Sequence, residues 1–213
     1  MSVPNRQIGW SQESNLLWYI LSQLKRLTGV ISGMKPKYKV FTALLTQSGG
    51  SSLEQLDSST SIQNVTKGVT YTIENASDGD FTNVGAPNND VGTSFVAIND
   101  NIPNNYNNAA LLFNTGAPVA TVLENTIGNI WFTYDSEGHY SVNSNGLFTL
   151  NKTYTAIQSQ PVEGNVGDGI KFAVINFQYP DVNNIGIRTG RAELAPLDNF
   201  LMNTPIEIRV YNS

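Results

Sequence analysis

Apolar residues follow two different rhythms along this chain. Near its start Leu17, Ile20, Leu24, Leu27 and Ile31 recur in steps of three and four, with Leu16 and Leu21 widening the stripe. That period is one face of an α-helix, and the five positions are the a and d sites of a heptad. The stretch from Trp10 to Ile31 therefore reads as amphipathic helix. Ser11 supplies an N-cap, and Glu13 puts a carboxylate in the first turn, where the helix dipole favours it. Lys25 and Arg26 fall near the last turn, and Gly29 and Gly33 offer two stops ahead of Pro36. About 17–20 helical residues reach roughly 25–30 Å, enough for a seam but short for a coiled coil standing alone in water. Such a helix leans on copies of itself, on the rest of the chain, or on another protein.

From Lys35 onward the rhythm changes to short alternating runs. Strands are predicted at Lys39–Thr46, Val69–Ile73, Ser94–Ile98, Ala110–Phe113, Ala120–Leu123, Ile130–Tyr134, His139–Val142 and Phe148–Leu150. Lys171–Tyr179 is apolar on both faces and reads as a central strand, whereas Pro205–Tyr211 alternates Ile206, Ile208 and Val210 against polar neighbours. Ser48–Ser52 reads as a turn or linker, and turns at Asn125–Gly128, Asp135–Gly138 and Asn143–Gly146 fall at hairpin spacings. Ser77–Asp90 is loop chemistry, and the Asn-rich run from Asn99 to Asn108 is too polar for regular structure. The fold class expected is mainly β: an N-terminal amphipathic helix in a short coiled coil or bundle, then an antiparallel β-sandwich-like body.

Composition supports that reading and narrows the function. Charged residues make up 14% of the 213 and hydrophobic ones 40%, the balance of a turn-rich β-protein. A net charge of −5 argues against a grip on nucleic acid, which needs clustered Lys and Arg. There is no cysteine, hence no disulfide, thiolate metal site or cysteine nucleophile. With no signal-peptide core after Met1 and no apolar run of about eighteen residues, the expectation is a soluble chain made without an export signal, with no membrane partner.

Several segments resemble proteins of known type. PNRQIGWSQESNLLWYILSQLKRLTGVI, from Pro4 to Ile31, resembles the N-terminal arm of structural proteins of crAss-like and related Bacteroidetes tailed phages, in which an IGWS segment precedes an apolar helix. KYKVFTALLTQSG, from Lys37 to Gly49, and APVATVLENTIGNIWFTYDSEGHYSV, from Ala117 to Val142, look like two pieces of one virion β-domain. Between them GVTYTI (Gly68–Ile73), GDFTNVGAPNN (Gly79–Asn89) and GTSFVA (Gly92–Ala97) look like a small β-module of phage fibre and tail proteins. The resemblance implies residues 1–34 as a docking arm and oligomerisation helix, residues 35–50 and 116–213 as the sandwich-like domain, and residues 51–115 as an inserted β-module.

Catalytic chemistry has little to work with. His139 is the sole histidine and lies in a predicted hairpin, and no GxSxG turn exposes a serine beside it. Glu124 with Asp135 or Glu137 could meet across strands as a glycosidase pair. Asp78, Asp80 and Thr82 open like a calcium loop, but the twelfth position of that frame is Asn89 rather than Glu, and an Asx-rich turn is the ordinary explanation. Lys35, Lys37 and Lys39 share one face of an extended segment, as charges guarding an edge strand do. Asn64, Asn75 and Asn151 each begin an N-x-[ST] triplet, read as chance matches in an Asn-rich chain.

No enzyme activity, cofactor or metal is therefore expected. The expected role is a virion structural protein, a head fibre or capsid decoration protein assembled in the host cytoplasm. Pro4, Ile8 and Trp10 would dock it to capsid or auxiliary virion proteins, and Leu17, Ile20, Leu24, Leu27 and Ile31 would join copies, a trimer being favoured over a dimer. The alternative is a tail or collar fibre, or an adhesin module binding a host-surface glycan through Tyr106 and Trp131.

Overall fold

The structure, a computed structural model, describes residues 12–33, 37–158, 161–162, 171–172, 176–178, 181–190 and 196–211. It is mainly β, with antiparallel sheets and one N-terminal helix. Residues 1–37 and 38–213 form separate compact units.

Helix α1 spans Gln12–Gly33. It runs through Gly29, the first of the two expected stops, and ends at the second, so Lys25 and Arg26 lie in its body and not in its last turn. An isolated glycine costs about 1 kcal/mol in a helix, too little to end one that is otherwise well formed. Among the described residues no helix is long and apolar enough to cross a membrane.

The second unit contains β1 (Tyr38–Thr46), β2 (Leu53–Asp57), β3 (Thr70–Asn75), β4 (Ser94–Val96), β5 (Ala110–Asn114), β6 (Val119–Asn125), β7 (Ile130–Ser136), β8 (His139–Ser144), β9 (Thr153–Ile157), β10 (Pro161–Val162), β11 (Lys171–Phe172), β12 (Asn176–Gln178), β13 (Asn184–Arg188) and β14 (Thr204–Tyr211). One sheet has the order β6-β1-β14-β9 and a second the order β12-β13-β8-β7. Alternation explains why they pack together: Phe41, Ala43 and Leu45 of β1 and Ile206, Ile208 and Val210 of β14 are buried, as are Phe132, Tyr140, Val142, Ile185 and Ile187 of the second sheet, and all belong to one core. Phe41 and Phe132 meet there with ring centroids 6.1 Å apart.

Two strand expectations change. Phe148 is buried, but Phe148–Leu150 is an irregular corner, held by a 2.9 Å bond from the Thr149 amide to Thr153 Oγ1, and the strand begins at Thr153. The 171–179 stretch holds two short strands, and β12 lies at the end of its sheet rather than its centre. β1 is bonded to β14 from Tyr38 onward but to β6 only from Phe41 onward, so Lys39 lies beyond the β6 ladder; Lys35 falls outside the described residues.

Between β1 and β6 the chain builds a third sheet, β2-β5-β3-β4, around Tyr71, Ile73, Phe81, Val84, Phe95, Tyr106 and Leu111. Its loops are irregular, and asparagine amides do the work that ladder bonds do elsewhere. Asn83 Nδ2 donates to the Ile102 carbonyl, Asn99 Nδ2 to that of Asn83 and Asn75 Nδ2 to that of Asn108, while Asn89 Oδ1 accepts the Phe81 amide at 2.9 Å. Asn105 and Asn108 also take positive φ, a conformation asparagine tolerates better than other side chains. The segment is joined to the rest of its unit by the Phe132 amide donating to Thr70 Oγ1 at 3.1 Å and by Asn129 Nδ2 donating to the Ser94 carbonyl at 2.8 Å.

Candidate functional site

The residues named for assembly lie on α1. Its 22 residues span about 33 Å at 1.5 Å per residue. Leu17, Ile20 and Leu24 are 63%, 46% and 51% exposed, and Leu16, Trp18, Tyr19 and Leu21 are exposed with them. Six consecutive apolar residues, Leu16 to Leu21, go all the way round the helix, so over this stretch it is apolar on every side and not only along a seam. Leu27 and Ile31 lie in α1, but their side chains fall outside those described; Pro4, Ile8 and Trp10 lie outside the described residues altogether.

The candidates for chemistry are not brought together. Glu124 sits on β6 and Asp135 on β7, in different sheets, so they do not face each other across neighbouring strands; Glu137 is in the turn after β7. Asp135 instead accepts bonds from Ser141 Oγ at 2.6 Å and Thr133 Oγ1 at 3.1 Å. His139 is half-buried on β8, its Nδ1 2.9 Å from the Glu137 carbonyl and 3.1 Å from Ser136 Oγ. Asp80 Oδ1 accepts the Thr82 amide at 3.0 Å and the Thr82 hydroxyl at 2.6 Å, which hold its carboxyl below the usual range and make it the anchor of an Asx turn. Asn89, in the twelfth position, completes the same loop by donating to Asp80. Among the described residues no group of three or more His, Asp or Glu side chains is gathered so as to hold a metal ion.

Of the two glycan candidates, Tyr106 is corrected. Its ring is buried edge-on against Phe81, and its hydroxyl donates to the Leu56 carbonyl, so it is a core residue that no ligand reaches. The Asn-rich run around it hid this, because a loop without a period gives no inward side. Trp131 is half-buried on β7 opposite Asn143.

One carboxylate that no sequence pattern singles out ties distant segments together. Asp198 accepts the Tyr140 hydroxyl at 2.7 Å and the Gly138 amide at 2.8 Å through one oxygen, and the Tyr134 hydroxyl at 2.9 Å through the other. Burial, and then the bond to Asp198, raises the Tyr140 phenol above its ordinary value. This carboxylate pins the β7–β8 hairpin to a loop some sixty residues further on, which makes it structural. No local signal marks it, since its partners are distant in the chain. On the other sheet the Arg209 guanidinium lies over the Tyr38 ring, 4.8 Å from its centroid, and is paired with Glu207.

The chain matches no protein-family model, no curated protein and no solved structure.

Proposed function

We propose that this chain is a structural protein of a tailed-phage particle, a homo-oligomeric head fibre or capsid decoration protein anchored by its N-terminal arm. The observation that carries the oligomer is the exposed stripe of Leu17, Ile20 and Leu24. Large apolar side chains repeating at helical spacing are costly to leave in water, and a seam between copies in a short coiled coil or bundle covers them. A stripe alone would need two or three helices. The all-round apolar stretch from Leu16 to Leu21 offers a further surface, which suits the docking role that the resemblance of Pro4 to Ile31 implies.

The body's part in this proposal is presentation. Several of its carboxylates hold the backbone together: Asp80 its own loop, Asp135 the β7–β8 pair through Ser141, and Asp198 the same hairpin from a distant loop. A tail or collar fibre would use the same parts at another place on the particle. A glycan-binding role keeps Trp131 as its aromatic and loses Tyr106.

The decisive experiment removes residues 1–34 and asks whether the remaining body still joins particles. Full-length chain should appear on intact particles by cryo-electron microscopy or antibody labelling, and the truncated chain should not. A truncated body that still decorates particles would overturn the anchoring role, and an absence of the full chain from particles would overturn the virion assignment.

A further inference from the structure

The two large sheets differ on their outward faces. The second sheet turns Thr133, Asp135, Ser141, Asn143, Asn184 and Arg188 away from the core together with the half-buried Trp131, an exterior that is polar apart from that one ring. The first sheet carries more apolar side chains on its outward face, set among Thr42, Thr46, Thr121 and Glu124. Opposite its core-facing Phe41, Ala43 and Leu45 it carries Val40 and Leu44, flanked by Val119 and Leu123 on β6, Pro205 on β14 and Tyr154 on β9. Within this face Glu207 and Arg209 pair with each other, while Glu124, opposite Thr42, stays as a charge near its edge.

We infer that this outward face of the β6-β1-β14-β9 sheet is a contact surface between copies of the chain, closed when α1 gathers them. The inference rests on the oligomer proposed above. Three observations select a second copy as the occupant. The first is shape: β6 carries one extra residue opposite Thr42 and Ala43, and Leu123, 65% exposed, stands in that bulge. Leu123 forms one wall of a hollow of about 520 Å³ that is bordered also by Thr42, Ala156, Pro205 and Glu207. A protruding leucine and a hollow on the same face let one copy's knob enter the next copy's hole.

The second observation is size. From strand spacing and rise, a four-stranded face with eight-residue strands covers roughly 400–500 Å², about half of the ~800 Å² per partner that a self-sufficient interface needs. A surface of that extent holds a partner only if something else supplies the rest. The third is tethering: only residues 34–37 separate α1 from β1, and copies joined through a short tether meet at about millimolar effective concentration. A weak, half-sized face then closes between copies in preference to a stranger at cellular concentration.

The absence of cysteine makes the test clean. Leu123→Cys and, as a control on the second sheet, Ser141→Cys are introduced singly into the full chain and oxidised mildly at micromolar concentration. Leu123→Cys should link copies in most of the protein and Ser141→Cys in little of it. Leu123→Lys should weaken the assembly about tenfold or more in dissociation constant. If the unmodified chain sediments as a monomer, the helix-driven oligomer fails and this inference falls with it. If the chain is oligomeric and Ile20→Asp dissociates it, yet Leu123→Cys links no better than Ser141→Cys, the face contact alone is overturned. A cross-link that forms only to a different protein, on addition of particles, overturns it too.

Discussion

Replacing Ile20 by aspartate tests the seam most directly. In the single chain Leu17, Ile20 and Leu24 leave 63%, 46% and 51% of their surface in water. Burying a Leu or Ile side chain completely stabilises by about 1.5–3 kcal/mol, so covering what these three still expose contributes about 2–5 kcal/mol per chain. Ile20→Asp removes about 1 kcal/mol of that and asks each copy to bury an unpaired carboxylate, which costs several kcal/mol more. Taking only about 3 kcal/mol per chain, the association constant of a two-chain seam falls about 10⁴-fold. Ser22→Asp is the control, because Ser22 lies two residues further along the same helix at the heptad position facing away from the a/d seam. Sedimentation velocity from about 1 to 100 μM should show an assembly for the unmodified chain, about 70 kDa if three copies of 23.2 kDa associate. It should show the same for Ser22→Asp and a monomer for Ile20→Asp. An Ile20→Asp chain that stays assembled, or a Ser22→Asp chain that dissociates equally, would refute the seam.

Other outcomes follow from the body. Gly138 has φ +65°, and a Cβ there would lie 2.5 Å from the Leu197 nitrogen and the Thr189 oxygen, whereas at Gly146, φ +68°, a Cβ would meet nothing within 4 Å. Gly138→Ala should therefore cost about 3 kcal/mol or more in urea denaturation and Gly146→Ala only about 1 kcal/mol; equal costs would contradict the packing. Asp198→Ala strands the hydroxyl of buried Tyr140, and should destabilise by about 2–4 kcal/mol, with Tyr140→Phe costing less in the same assay because it leaves no unpaired buried hydroxyl. The fold also holds buried phenols protonated: burial pushes Tyr106 up to about 12 and raises Tyr71 and Tyr140 as well. The folded chain then keeps protons that the unfolded chain releases near pH 10, so stability is intact below that value and falls between about pH 10 and 12, by about 1.4 kcal/mol per pH unit for each phenol. A urea midpoint unchanged between pH 9 and pH 11 would count against this.

How far the sequence could be read depended on whether an element has an inside. β14 was plain, because Ile206, Ile208 and Val210 alternate against Glu207, Arg209 and Tyr211, and β1 was nearly as plain. β2 was not recognised as a strand of its own: Leu56 is its only buried residue and Leu53 is largely exposed, so no alternation marks it. Phe148 looked like strand and is instead an apolar plug set into the core from an irregular corner, which periodicity cannot distinguish over three residues. At the candidate site the stripe on α1 was visible as a pattern, since helix spacing is local. Asp198 and the outward face of the first sheet leave no local trace, since the first depends on partners some sixty residues away and the second on strands paired across more than a hundred and fifty.

The pairing of β1 with β14 has a consequence for how such a chain is made. Thr46 is bonded to Asn203, 157 residues later, so the first strand of the body has no partner on that side until nearly the whole body has been synthesised. At about 5–20 residues per second that is a wait of roughly 8–30 s after the residues of α1 have been joined. For that time the ribosome holds out an apolar helix whose local bonds form in about a microsecond, attached to a body that cannot yet close. Under the proposed oligomer, neighbouring ribosomes on one message hold out the same helix, and copies meet well before any of them has a folded core.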